Sequence, residues 1–121
     1  MLRGIRGAIT VENNTKEEIW HAAQLLITKI LSINEILSEN IGAIIFSSTN
    51  DLTAAFPTTG LRQLPGFTFI PLFDVQETAV EGSLPRCIRV LVLADINRTL
   101  SEIHHVYLGG AQNLRPDLVK D

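Results

Sequence analysis

A chain of 121 residues with a net charge of −3, 45% hydrophobic and 19% charged residues has room for one domain around one core. That profile excludes a disordered or low-complexity chain, and an acidic balance without a basic, aromatic-interleaved stretch excludes nucleic acid as an expected partner. Cys87 is the lone cysteine, so no internal disulfide can form; without a charged-then-apolar leader or an apolar run of bilayer length, the expected setting is the cytoplasm, away from any membrane.

Residues 2–11 place Ile5, Ile9 and Val11 on one parity and Gly4, Arg6, Ala8 and Thr10 on the other, the period of a strand with two unlike faces. Gly4 and Gly7 lack a following helix start and read as close-approach glycines rather than a phosphate loop. Thr15 with Glu18 forms a capping box, and Ile19, Ala23, Leu26, Ile27 and Ile30 then recur at helical spacing, which predicts a long amphipathic helix over 16–33. A helical turn at 38–41 and a short strand at 43–46 follow. Asn50 and Asp51 supply turn chemistry, and Pro57 fits the first turn of a helix carrying Leu61, Arg62 and Leu64. The next strand is predicted over 67–74, with Pro71 marking an edge or a bulge.

Residues 86–94 are apolar on both parities, with Arg89 among them. Such a strand needs cover on both faces, and so few helices cover one only. A second copy of the chain is the expected cover, with sites near the subunit contacts. A helical turn at 99–103, a strand at 104–108 and a turn at Gly109-Gly110 complete the chain. The expected fold class is α+β, a single domain over 1–121: a mixed β-sheet of four to five strands with helices on one face. Residues 114–121 form a tail in which Pro116 holds Arg115 extended, suited to a mobile flap that orders on binding.

Arg6 beside small same-face neighbours, Arg89 in an apolar strand and Arg115 before a proline are placed where structure alone does not require guanidinium groups. Each needs an anion or several acceptors, which points to a pocket for a carboxylate-bearing small molecule. His104 and His105 are adjacent and point to opposite faces of a strand, which is wrong for joint metal ligation, so no metal and no cofactor is expected.

The strings RGIRGAITVE from Arg3, DLTAAFP from Asp51, CIRV from Cys87, HVYL from His105 and LRPDL from Leu114, in that order, resemble the monofunctional chorismate mutases of the Bacillus type over nearly the whole chain. The resemblance implies a homotrimer built as a pseudo-α/β barrel with active sites at subunit interfaces. It also implies conversion of chorismate to prephenate, the committed step toward phenylalanine and tyrosine. Carried over residue by residue, the family's catalytic pattern falls on Arg6, Glu77, Arg89 and Tyr107. The substrate-binding residues so implied are Phe56, Arg62, Phe73, Asp74, Cys87, Leu114 and Arg115.

Two positions depart from that pattern. Thr59 stands where a charged side chain can occur, and Asp74 stands where a small neutral group is usual. A second carboxylate near Glu77 would raise one pKa of the two and repel a dianion. Parity also puts Asp74 and Glu77 on opposite faces, so the chain must bulge or leave the sheet if both line one pocket. The alternatives are a trimeric binding or regulatory module that holds an anionic metabolite without turnover, and a deaminase-like trimer that also grips carboxylates with arginine.

Overall fold

The computed structural model describes residues 1–114; Arg115 and the rest of the expected tail lie outside the described residues. Five strands form one mixed sheet. In chain order they are β1 (Leu2–Thr10), β2 (Ile41–Ser48), β3 (Leu72–Gln76), β4 (Cys87–Asp95) and β5 (Val106–Leu108). Two α-helices intervene, α1 (Lys16–Ile33) and α2 (Pro57–Leu61), with 3-10 turns at Ser38–Asn40, Leu100–Glu102 and Gly109–Asn113. The strand order is β3-β2-β4-β1-β5, with β4 antiparallel to both β1 and β2, and the outer strands β3 and β5 parallel to their neighbours.

α1 begins where its capping residues dictate. Thr15 accepts from the Glu18 amide, while the Glu18 carboxylate reaches the Asn13 amide and the Thr15 hydroxyl rather than the Thr15 amide. Ile19, Leu26, Ile27 and Ile30 of its inner stripe are fully buried against Ile5, Ile44, Ile88 and Val92 of the sheet. Burying each such aliphatic side chain stabilises the fold by about 1.5–3 kcal/mol. The helix ends at Asn34, itself fully buried; its side chain donates to the carbonyls of Ile30 and His104 and accepts from the His104 amide.

Both outer strands start later than the sequence predicts, for tertiary reasons. Arg62 Nη1 donates to the carbonyl oxygens of Phe67, Thr68 and Ile70 at 3.0, 3.0 and 3.2 Å, which bends 67–70 into a turn. Pro71 offers no amide, but its carbonyl accepts from the Ile44 amide at 2.9 Å, and β3 pairs from Leu72 as an edge strand. At the other edge, Asn34 takes the His104 backbone and the His105 Nδ1 accepts from the Arg6 amide at 2.9 Å, so a side chain stands in for the ladder until Val106.

Candidate active site

Direct cross-strand partners share a face, so the register sorts the side chains. On the face turned away from α1 and α2, one row runs Tyr107, Ala8, Arg89, Ser47, Val75 across the sheet, and the next runs Arg6, Leu91, Ile45, Phe73. Arg6, Arg89 and Tyr107 are therefore neighbours. They line a cavity of about 210 Å³ with Gly7, Ala8, Val90 and Leu114. A second cavity of about 240 Å³ extends from Arg6 and Arg89 over Ile45, Ser47 and Leu91. Each is smaller than the ~300 Å³ at which small-molecule pockets begin, so the described residues of one chain wall the site only in part.

Glu77 is the first residue after β3, and its amide donates to the Ser48 carbonyl at 3.0 Å. No bulge intervenes in β3, and Glu77 reaches the Arg89 face by plain alternation. Its Oε1 lies 2.6 Å from Arg89 Nε. The two atoms meet off the line of the N–H bond, as a charge contact rather than an aligned hydrogen bond. Contact through Nε keeps the two terminal nitrogens of Arg89 out of that pair; the guanidinium also bonds the Cys87 thiol, and the Arg89 side chain remains 42% exposed. Arg89 is thus paired but not sealed.

Cys87 shares the Arg89 parity but is fully buried among Ala8, Tyr107, Ala111, Leu84 and Leu114. Burial pushes its thiol up to about 11, against the opposing pull of Arg89. It packs behind the cavity and is no nucleophile at neutral pH.

The remaining expected residues stand apart. Asp74 occupies the opposite parity, opposite Phe46, and accepts from the amide and hydroxyl of Thr58 at the start of α2. Two carboxylates therefore do not crowd one pocket within a chain. Phe56 and Asp74 border a different cavity of about 570 Å³, with Ala55, Pro57 and Val75. Phe73 is exposed on the edge strand β3, on the far side of the sheet from β1. Arg62 is the clamp on 67–70. Thr59 is exposed on α2.

Four residues around the site have roles that the sequence alone does not reveal. Ser47 faces Arg89 directly, and only the register reveals it. His105 carries the Arg6 amide. Asp51 and Thr49 bind the start of β4, and although burial would raise the Asp51 carboxyl, the Thr49 hydroxyl and the Arg86 amide hold it below its ordinary value. Among the described residues, no group of three or more His, Cys, Asp or Glu side chains is placed to share a metal ion.

Comparison with known proteins matches the chain, in sequence and in fold, to one family. Residues 2–118 fit the sequence model for chorismate mutase type I. The chorismate mutase AroH of Thermus thermophilus is 50% identical over 119 residues, covering 98% of this chain and 97% of that protein. The corresponding AroH of Bacillus subtilis (strain 168) is 42% identical over 118 residues, covering 98% and 93%. Among solved structures, a chorismate mutase from Clostridium thermocellum superposes with a TM-score of 0.89 at 40% identity, over 92% of this chain and 98% of that one. On sequence and fold together, the chain belongs to the chorismate mutase type I family.

Proposed function

We propose that the chain is a chorismate mutase that rearranges chorismate to prephenate at a site shared between copies, on the way to phenylalanine and tyrosine. The observation that carries this reading is the single cavity that gathers Arg6, Arg89, Tyr107 and Leu114, with Glu77 held against Arg89. Chorismate is a dianion, and its rearrangement is concerted: the ether carbon–oxygen bond breaks as a carbon–carbon bond forms. No nucleophile, proton transfer or cofactor is needed. Restraint of the reactive conformer and fixed positive charge at the ether oxygen supply the catalysis. The terminal nitrogens of Arg89 donate to that oxygen, Arg6 and Tyr107 hold a carboxylate, Glu77 accepts from the ring hydroxyl, and Leu114 forms an apolar wall.

Phe56, Phe73 and Asp74 belong to the same site but reach it from a neighbouring copy, with Arg62 and Arg115 adding positive field at its rim. A chain that carries unlike halves of a site at the two sides of its sheet associates head to tail, and such an interface closes into a ring, here a homotrimer. Half-buried Leu91, Leu93 and Ile45 on the face away from the helices, and exposed Phe73 beside them, suit that contact. The cytoplasm is the compartment this reading implies. No helix among the described residues is long and apolar enough to cross a membrane.

The test is complementation. Arg89→Ala damages one half-site and Phe56→Asp the other, and each variant alone turns over little chorismate. Unfolded together and refolded, they restore about a quarter of the wild-type rate, because random head-to-tail mixing pairs the two intact halves at about one site in four. Recovery no greater than the sum of the separate variants would place the whole site in one chain and overturn the shared-site reading.

A further inference from the structure

Arg89 is held in register opposite Ala8 and Ser47, and the anchoring of the 77–86 connection adds to that register, because Glu77 begins the segment and Arg89 follows its end by three residues. Both ends are tied to the β2 side of the sheet. At the near end, the Glu77 amide donates to the Ser48 carbonyl at 3.0 Å. The far end is held by backbone bonds, the Thr49 amide donating to the Cys87 carbonyl at 3.1 Å, and by side chains. The Cys87 amide donates to Thr49 Oγ1 at 3.0 Å, and the Arg86 amide donates to Asp51 Oδ2 at 2.9 Å.

Thr49 has one hydroxyl hydrogen to give. Its Oγ1 lies much nearer Asp51 Oδ1 than the Cys87 carbonyl, which is 3.5 Å away, so the hydrogen goes to Asp51. Both carboxylate oxygens of Asp51 are thereby engaged as acceptors, one by the Thr49 hydroxyl and one by the Arg86 amide. The Arg86 backbone needs such a hold. Its φ of 47° is left-handed for a side-chain-bearing residue, a conformation that costs on the order of 1–3 kcal/mol and persists only where its surroundings impose it. The Val11 amide bonded to the Arg86 carbonyl at 3.0 Å, and Arg86 Nε bonded to the Val11 carbonyl at 3.2 Å, complete the grip.

We propose that Asp51, acting through the Thr49 hydroxyl and the Arg86 amide, is a positioning residue that fixes the start of β4 so that Arg89 meets Glu77. This inference rests on the pocket assignment above. Asp51 and Glu77 border one cavity of about 280 Å³, but the hydrogen bonds of the Asp51 carboxylate go to Thr49 and to the Arg86 amide, so its hold on β4 runs through residues 86–87. An asparagine at 51 presents an NH2 and no charge where one of the two donors now meets a carboxylate oxygen, whereas serine at 49 keeps the relay and valine removes it.

The experiment measures kcat and KM for chorismate in Asp51→Asn, Thr49→Val and Thr49→Ser, in the wild-type and Glu77→Gln backgrounds. Expected are falls in kcat of about tenfold for Asp51→Asn and Thr49→Val, and less than about twofold for Thr49→Ser. In the Glu77→Gln background, Asp51→Asn should cost less than about twofold more, because the contact it sets is already broken. A general structural loss would lower the rate equally in both backgrounds, and that result would overturn the proposal. If Asp51→Asn does not fold, the contrast between Thr49→Val and Thr49→Ser decides, since equal rates in those two variants overturn it. Wild-type turnover that Arg89→Ala abolishes but these variants leave untouched defeats this inference and spares the pocket assignment; absence of wild-type turnover defeats the assignment itself.

Discussion

Gly7 sits between Arg6 and Ala8, and its missing side chain is what lets α1 and β5 close on β1. A Cβ at Gly7 would stand 2.8 Å from Ile30 Cδ1, 3.0 Å from the Val106 carbonyl oxygen and 3.1 Å from Leu26 Cδ1, inside the ~3.5–4.0 Å at which carbon atoms attract. Ile30 and Leu26 are fully buried, so their side-chain ends can yield only within a close-packed core, and the Val106 oxygen is fixed in the β1–β5 ladder. Gly7→Ala therefore overpacks the core, at a cost of about 1–3 kcal/mol. For a domain of this size that lowers Tm by about 5–15 °C. It also pushes Tyr107 away from Arg6, so KM for chorismate should rise. Gly4→Ala is the control on the same strand: its Cβ meets only the side-chain ends of Leu91 and Leu93, at 3.2 and 3.8 Å on the half-open face. Alanine is also the better strand residue by roughly 0.5–1 kcal/mol. Thermal unfolding followed by circular dichroism at matched protein concentration compares the two. A Gly7→Ala variant melting within about 2 °C of wild type would refute the packing argument.

Asn34→Ala leaves the amide and carbonyl of His104 without their partner beneath the end of α1, and chemical denaturation should show a loss of about 2–4 kcal/mol with chorismate turnover retained at low temperature. Cys87 titrates at about 11 when folded, against the ordinary thiol value of 9.0 when unfolded. A raised pKa favours the protonated, folded form, so its stabilisation is complete below pH 9 and is lost as pH rises toward 11, by about 2–3 kcal/mol at most. Denaturation midpoints of Cys87→Ala should accordingly fall less steeply between those pH values than the wild type's; parallel slopes would rule out the buried thiol as the cause.

α1 was legible in the sequence because its determinants are local: Thr15, Glu18 and a 3.6-residue apolar stripe lie within one segment. β1 was legible for the same reason, since alternation around Arg6 assigns its faces without knowledge of any partner; β4, apolar on both parities, was legible as a strand, and its faces follow from the register. The late starts of β3 and β5 were not, because they depend on Arg62 bonding carbonyls five to eight residues on and on Asn34 bonding His104 seventy residues away. The relation of Asp74 to Glu77 was half legible. Parity already separated them, and only the Thr58 contact supplied what Asp74 does instead. Asp51 read as a turn former because its second partner, the Arg86 amide, lies 35 residues ahead.

The most direct measurement is kcat/KM for chorismate in Arg89→Lys, followed by the loss of chorismate absorbance. An ammonium can sit against Glu77 or against the ether oxygen, but it lacks the planar fork that reaches both. Losing one preorganised donor of this kind costs about 3–4 kcal/mol, so a fall of about a hundredfold or more is expected. Turnover within about threefold of wild type would contradict the role given to Arg89.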